Sequence, residues 1–364
     1  MRVESGHVVA LRLFDLAYAI DLRRAGDLWA ARTGSAGARS QLAATPAKAV
    51  AFEVPPLELD LGPVALALGP ARASARLYDF GIAALAIRLP VAGLSWAAFT
   101  ARVADVDAAV GAAAGDALWP GLLDRVRDAV AAALDRPSAV PLQDDHLIAT
   151  VEAFDTAVAA EALEAAVDLV PLLSGQTRPL SPSARADLLR HRFSYHPDDL
   201  AIVTWDRAFL YEPRGDSDVA DVVELANAQL LELRVYDAML DDELPRMQAL
   251  VDAARRRVSI FGARRYARLA RRLYTLVAEV SQLTERVDNA LQVTEDVYLA
   301  RVYAATIDLL RVPKVGDAVD RKLAIVRETY SALHSEAEGA RAELLELAVL
   351  LLIAIEILLS LVRR

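Results

Sequence analysis

Histidines and neighbouring carboxylates are the residues of this sequence that could bind a metal or transfer protons. The five histidines are His7, His146, His191, His196 and His334. His191 and His196 flank a predicted strand, and their odd spacing places them on opposite faces, whereas two metal ligands need the same face. The Asp144-Asp145-His146 triplet could supply a ligand, but it precedes a predicted strand and is more simply explained as a solvated loop. We therefore expect no metal site.

Catalytic and cofactor-binding motifs are missing from the sequence. Neither glycine-rich phosphate loop is present, and H-E-x-x-H and G-x-S-x-G are also absent. The chain has no cysteine, which excludes thiolate nucleophiles, disulfides and cysteine-ligated metals. At a predicted tight turn, Asp206 is expected to bond its own turn backbone while Trp205 packs. We therefore expect a non-enzymatic protein without catalytic residues, cofactor or small-molecule substrate, and an unrecognised hydrolase is the less favoured alternative.

One dense cluster of basic residues stands out in a chain of formal net charge −10. Eight arginines fall within 18 residues that contain no acid: Arg255, Arg256, Arg257, Arg264, Arg265, Arg268, Arg271 and Arg272. On a helix, Arg264, Arg268 and Arg271 share a face. One interpretation is a solvated helix face paired with acidic helices such as the one at 241–243. The other is a docking patch for phosphates, whether of anionic lipid headgroups or of ribosomal RNA.

Residues 1–213 are predicted to form an α+β domain, a mixed sheet with helices packed on it. Hydrophobic residues make up 55% and charged residues 25% of the 364 positions, which disfavours both a disordered chain and a polytopic membrane protein. Aliphatic segments separated by Pro or Gly predict strands at 8–20, 50–61, 64–68, 75–89 and 146–154. Helical patterns cover 95–110, 118–134, 156–172 and 182–189, and short antiparallel strands follow between 192 and 211.

Residues 214–342 are predicted to form a long antiparallel helical hairpin. Apolar residues alternate at spacings of three and four in two series, from Tyr266 to Val297 and from Val319 to Leu351. A break at 312–316 separates the two series. This spacing is typical of a coiled-coil seam. Because a long isolated hairpin leaves part of its apolar surface exposed, we expect a homo-oligomer.

Residues 343–364 contain the most apolar segment of the chain. Over 344–361 the only polar residues are Glu346, Glu356 and Ser360. A helix of this length spans about 27 Å, close to the roughly 30 Å of a bilayer core, and arginines at 341, 363 and 364 flank it. We therefore expect a C-terminal transmembrane helix, and the alternative is a buried terminal helix in an oligomer. Glu356 is costly in hydrocarbon, so we expect it to make an intramembrane or oligomer contact.

Four segments, taken together in their order, resemble one known family. They are 78–85 (YDFGIAAL), 199–213 with its DLAIVTWD and LYEP, 225–237 with its LANAQLLEL and YD, and 351–359 (LLIAIEILL). They are similar to segments of the required-for-meiotic-nuclear-division family, a domain of unknown function. The resemblance implies an α+β domain, a helical hairpin and a membrane anchor without assigned enzymatic activity. Its mitochondrial members are inner-membrane oligomers that support translation, and this chain resembles a bacterial relative.

These observations lead to one expected function and one alternative. We expect a non-enzymatic, tail-anchored oligomeric scaffold or tether at the bacterial inner (cytoplasmic) membrane, with its soluble domain in the cytoplasm. Its partners would be membrane lipid and further copies of the chain. The alternative is a ribosome- or RNA-associated factor that supports translation at the membrane through the arginine cluster.

Overall fold

The structure is a computed structural model, and it describes most of the chain. The described residues are 1–39, 50–111, 117–139, 141–176, 178–215, 218–255, 271, 273–275, 277–281, 284–285, 287, 291–293 and 298–362. The chain divides into two compact units. The sheet unit comprises Met1–Val235 and Arg286–Pro313, and the helical unit comprises Tyr236–Glu285 and Lys314–Arg364. The domain boundaries expected from the sequence, 1–213, 214–342 and 343–364, stay predictions.

The sheet unit is built on one large mixed sheet. The strands are β1 (Arg2–Asp15), β2 (Ala17–Ile20), β3 (Ala38–Arg39), β4 (Val50–Phe52), β5 (Leu57–Leu66), β6 (Gly69–Leu77), β7 (Ile82–Val91), β8 (Leu94–Ser95), β9 (Leu134–Pro137), β10 (Gln143–Phe154), β11 (Arg192–Phe193), β12 (Leu200–Val203), β13 (Arg207–Tyr211) and β14 (Leu291–Val293). The sheet runs in the order β11-β12-β13-β10-β1-β7-β6-β5-β3, with β8 beside β1. β10 and β13 pair in parallel and the other neighbours are antiparallel. Two small pairs, β2–β9 and β4–β14, lie outside this sheet.

The described α-helices range from 5 to 51 residues in length. They are α1 (Leu22–Thr33), α2 (Trp96–Val110), α3 (Leu118–Val130), α4 (Ala160–Ala166), α5 (Val170–Ser174), α6 (Pro182–Leu188), α7 (Val219–Arg255), α8 (Tyr298–Leu309) and α9 (Val312–Val362). α2 begins where the Ser95 hydroxyl accepts a hydrogen bond from the Ala98 amide at 3.2 Å, which satisfies one of the free donors of the first turn.

Alternation along the strands gives the sheet two different faces. On one face the side chains of β1, β6, β7 and β10 join the apolar core formed with α1–α5, which includes Val8, Phe14, Leu85, Phe99 and Trp119. We call it the core face. The other face carries α7, and we call it the α7 face. Burying each large core side chain stabilises the fold by about 1.5–3 kcal/mol.

The strand predicted at 75–89 is a hairpin rather than one strand. β6 ends at Leu77, and β7 begins at Ile82. Gly81 makes the turn possible because its φ is +105° and a Cβ there would overlap the Ala17 carbonyl oxygen. Only glycine accepts this conformation and this approach. The strands predicted at 50–61 and 64–68 also have different bounds in the structure. β4 covers Val50–Phe52, and β5 is one strand from Leu57 to Leu66.

Among its described residues, the helical unit has helical segments in the C-terminal part of α7, between 271 and 285, and in α9, where the sequence predicted a two-helix hairpin. The C-terminal part of α7 belongs to it, and Asp237 and Asp241 lie 2.6 and 2.7 Å from Lys322 Nζ of α9. The predicted seam residues Leu273, Val280, Val319, Leu323 and Val326 are all buried. The first apolar series, from Tyr266 to Val297, is not helical over its whole length, because Leu291–Val293 forms β14 and pairs with β4 of the sheet unit.

The predicted transmembrane helix is wrong. Among the described residues, no helix has both the length and the hydropathy needed to cross a membrane. Glu346 and Glu356 are exposed charges within the apolar stretch, and some of its positions, such as 344, 345 and 358, lie outside the residues whose side chains are described. The predicted tail anchor and the inner-membrane localisation that depended on it are overturned with it. The fold class is therefore a mixed α/β arrangement with a large sheet and several helices.

Candidate functional site

The end of α9 exposes an apolar surface that no other part of the described chain matches. Eight large apolar side chains there are between 46% and 65% exposed: Val349, Leu350, Leu351, Leu352, Ile353, Ile355, Ile357 and Leu359. We call this surface the apolar end of α9. Five of the residues are consecutive, so they cover every side of the helix. Glu356, the residue expected to make an oligomer contact, is exposed within this surface.

One cavity in the sheet unit has a volume of 820 Å³. It opens beside the N-terminus of α1, and its lining includes apolar Ile20, Phe52 and Phe80 together with charged Arg24 and Asp79. Asp21 caps the helix, since its carboxylate accepts hydrogen bonds from the Arg23 and Arg24 amides at 3.1 and 3.0 Å. Charged side chains of both signs therefore lie around this cavity.

A second cavity of 380 Å³ lies on the α7 face of the sheet, and we call it the α7-side groove. Ser74, Ala84 and Ala86 form part of its lining, and these small side chains leave the space open. Arg72 and Arg88 also line it and are directly opposite each other in the β6–β7 pair. The groove therefore places charged side chains beside apolar ones such as Leu11 and Ile148 on the α7 face.

Ion pairs at one end of the groove attach α7 to the sheet. Arg76 Nη1 lies 2.9 Å from Asp221 Oδ1 and 3.4 Å from Glu224 Oε1, and the Tyr78 hydroxyl donates to Glu224 Oε1 at 2.9 Å. Burial raises the pKa of Glu224, which the Arg76 charge partly offsets. Burial alone would lower the pKa of Arg76, but Glu224 and Asp221 outweigh it and raise this pKa. The Arg76 charge is thus held fixed and neutralised by its neighbours.

The surroundings lower the pKa of two histidines on the same face. His7 Nδ1 is 3.1 Å from Glu152 Oε1. Burial, and next the charge of Arg88, lower the pKa of His7, while Glu152 opposes this shift. His146 is fully buried, and neither ring nitrogen has a hydrogen-bond partner among the described residues. Burial, and next Arg207, lower the pKa of His146 to about 3.

The loop predicted around His146 is instead part of β10, so that interpretation is wrong. Asp144 Oδ2 lies 2.6 Å from Arg234 Nη1 of α7, and Asp145 is the register partner of Arg12 on β1.

The turn at 204–207 was expected to be closed by Asp206, with Trp205 packed, and the structure differs on both points. Thr204 closes it by bonds to Arg207, and Trp205 is 45% exposed rather than packed.

Two buried arginines were not predicted as candidate functional residues. Arg12 donates to the Gly111 carbonyl at 2.6 Å and lies over the Trp119 ring. Arg207 bonds to Asp107 of α2 and donates to the Leu172 carbonyl at 3.2 Å. An arginine within an otherwise apolar strand pattern was the available signal. Within the described ranges, no three His, Asp or Glu residues are placed to hold a metal ion.

The arginine cluster stays a prediction, because most of it lies outside the described residues. Those outside are Arg256, Arg257, Arg264, Arg265, Arg268 and Arg272. Arg255 ends α7, and its side chain is not described, while Arg271 lies exposed in a helical segment. The structure therefore leaves open both interpretations of this cluster.

The large mixed sheet with its apolar core face and charged α7 face defines a domain whose function is unknown. The chain belongs to the family described as "Uncharacterized protein MJ0711, N-terminal domain", whose model matches residues 5–218. The protein "Uncharacterized protein MJ0711" of Methanocaldococcus jannaschii is 25% identical over 196 residues, which cover 54% of this chain and 59% of that relative. No solved structure matches the chain. A domain of unknown function is thus shown, but the matching family is not the required-for-meiotic-nuclear-division family that the short segments suggested.

Proposed function

We propose that this protein is a non-enzymatic oligomeric scaffold, assembled from several copies of the chain through the apolar end of α9. The observation that carries the proposal is the exposure of its eight large apolar side chains. Soluble monomers rarely expose a contiguous apolar surface of this size, and such surfaces usually mark an interaction site. The non-enzymatic part of the proposal is supported by the lack of catalytic motifs in the sequence.

The chemistry of this surface favours a second copy of the chain as its partner. Among its described side chains, Glu356 is the charged residue, and the others between Val349 and Leu359 are apolar. A surface without complementary charges is matched best by another apolar surface, and an identical helix supplies one. Continuity of the seam also supports this choice, because Val319, Leu323 and Val326 are buried at spacings that continue to Leu351, which is 57% exposed.

The arrangement favours more than two copies. Side chains that surround a helix on all sides are buried only when several neighbours pack against it. Burying the exposed half of eight such side chains would contribute about 6–12 kcal/mol per copy, whereas association costs about 4–15 kcal/mol. A pair would bury one side of each helix and gain only part of this energy. A bundle buries every side.

The test is the molar mass of the full chain in detergent-free buffer, measured by light scattering and by sedimentation equilibrium. We expect a discrete mass that is a whole-number multiple of the chain mass. Leu352→Glu places a charge on the most exposed residue of the surface, at 65%, and should shift the protein toward the monomer. Leu142→Glu is the matched control, since Leu142 is an exposed leucine of the sheet unit.

Two outcomes would contradict the proposal: a monomeric wild-type chain, or Leu352→Glu protein with unchanged mass. Glu356→Gln provides a test in the opposite direction. A carboxylate enclosed by apolar helices must be paired or protonated, so its removal should tighten the assembly.

A further inference from the structure

Two arginines face each other across the β6–β7 hairpin on the α7 face. Arg72 and Arg88 are register partners, and the same row continues to Val9 on β1 and Pro63 on β5, neither of which is charged. Directly opposite residues of an antiparallel pair have Cβ atoms about 4.5–5.5 Å apart, and like charges there destabilise the sheet. The sheet thus holds an unfavourable pair at the edge of an open groove.

The positive charge at this end of the groove is incompletely neutralised. Arg72 Nη2 lies 2.6 Å from Asp60 Oδ2. Within the part of the chain that the structure describes, the Arg88 side chain makes no hydrogen bond and no ion pair. Its charge nevertheless reaches the groove wall, because it contributes to the lowered pKa of His7. An anion placed between the two guanidinium groups would relieve their repulsion.

The shape of the α7-side groove leaves room for more than an ion. Ser74 and Ala86 are register partners across β6 and β7, Ala84 is two residues before Ala86 on the same face, and Ala220 in the first turn of α7 lines the groove as well. The volume of 380 Å³ falls within the usual range of small-molecule sites. A bare phosphate would fill only a fraction of it.

The opposite end of the groove offers hydrogen-bond acceptors. Glu58 on β5 lines it with an exposed carboxylate 3.8 Å from Arg76 Nη2, and the Ser74 hydroxyl lies between β5 and β7. Arg76, at this end, is already paired with Asp221 and Glu224. Carboxylates accept hydrogen bonds from hydroxyl groups and repel a second phosphate. The groove therefore combines a cationic end with an acceptor end.

We propose that the α7-side groove binds a small phosphate ester whose remainder carries hydroxyl groups, in the class of sugar phosphates. The guanidinium groups of Arg72 and Arg88 hold the phosphate by charge-assisted hydrogen bonds, for which the planar fork of arginine is suited. Glu58 and the Ser74 hydroxyl oxygen accept hydrogen bonds from the hydroxyl groups. This inference concerns the sheet unit and is independent of the proposed assembly through α9.

Calorimetric titration of the full chain tests the proposal. Ribose 5-phosphate and glucose 6-phosphate should each bind more tightly than inorganic phosphate or the free sugar. Arg88→Met should weaken binding at least about tenfold, since it removes a hydrogen-bonded charge. Arg88→Lys should lose less, and Ala86→Leu should block binding by filling the groove. Arg214→Met, at an exposed arginine of the sheet unit outside the groove, is the control and should bind as wild type.

The position of the ligand is checked by NMR of the full chain carrying isotope-labelled histidine. The chain has five histidines, and of these His7 lines the groove. Sugar phosphate should shift the His7 ring signals, while those of His191 and His196 stay unchanged. The proposal is overturned if neither sugar phosphate binds, if inorganic phosphate binds equally well, or if Arg88→Met and Ala86→Leu both bind as wild type. It also fails if binding leaves the His7 signals unmoved.

Discussion

The two faces of the large sheet are made from alternate residues of the same strands, and both bury apolar side chains, but they differ in how their charged side chains are placed. On β6, Ala71, Ala73 and Ala75 enter the apolar core, while Arg72 and Arg76 are on the α7 face. The core face is closed by non-directional apolar packing. The α7 face also buries apolar side chains such as Leu13 and Ile148, and it adds specific pairs such as Arg76 with Asp221 and Glu224. The groove of 380 Å³ lies beside these pairs, on the α7 face.

This contrast indicates that the core face mainly stabilises the sheet unit and that the α7 face is the one suited to binding a ligand. Buried ion pairs gain little over well-packed apolar residues, because desolvation offsets their attraction. We therefore expect the core face to supply most of the stability of the sheet unit. The α7 face is where polar side chains remain available to a ligand.

The largest effect is expected from Phe99→Ala on the core face. Phe99 of α2 is fully buried within the core and stacks near Trp96 at a centroid distance of 5.6 Å. Truncation leaves a cavity that the surrounding helices and strands fill only in part, so we expect a loss of about 3–5 kcal/mol in the free energy of unfolding. Urea unfolding measures it, with Phe99→Leu as a milder control. A loss below about 1 kcal/mol would show that this face is not densely packed.

A smaller, pH-dependent effect is expected from His146→Leu beneath α7. Burial and the Arg207 charge lower the pKa of His146 from 6.5 to about 3. The unfolded chain therefore takes up a proton below about pH 6.5 that the folded chain accepts only near pH 3. Stability falls as the pH is lowered through this window, by up to about 1.4 kcal/mol per pH unit. The leucine variant should lose this part of the acid sensitivity.

At neutral pH the same variant should be as stable as wild type or more stable. Both ring nitrogens lack hydrogen-bond partners among the described residues, so an apolar side chain of similar size removes a desolvation cost. Equilibrium unfolding of both proteins across the pH range provides the comparison. Equal acid sensitivity of the two proteins would contradict the expected origin in His146.

The elements that sequence analysis located well are those set by local pattern. The helices predicted at 95–110 and 118–134 match α2 and α3 closely, because apolar periodicity and the Ser95 cap are local signals. The strand predicted from residue 146 begins at Gln143 in the structure. The prediction missed three residues because Gln143, Asp144 and Asp145 resemble a loop. They join the strand through register partners on β1, more than a hundred residues away in the chain.

The candidate sites were predictable to different degrees. The apolar end of α9 was evident from composition, but composition alone led to a wrong membrane interpretation. The α7-side groove was missed, since Arg72 and Arg88 become neighbours only through the register of the β6–β7 hairpin. Tyr78-Asp79-Phe80-Gly81 was the available signal for that hairpin, and the sequence analysis placed a continuous strand across it. Pairing across a sheet is a long-range property that alternation within one strand does not encode.

The smallest effect, and the one of opposite sign, is expected from Arg88→Met on the α7 face. Removing one of two opposed arginines relieves repulsion and costs no described hydrogen bond, so the free energy of unfolding should rise by about 0.2–1 kcal/mol. The pKa of His7 should rise as well, because Arg88 contributes to lowering it. Urea unfolding and histidine NMR titration measure the two quantities. Arg72→Met is the matched control and should gain less stability, since it also loses the contact with Asp60.

If Arg88→Met is instead destabilised by more than about 1 kcal/mol, Arg88 supports the fold, and the contrast between the two faces is weaker than their composition implies. A gain in stability would mean that the sheet retains this arginine at a cost to folding, as expected for a residue that serves binding.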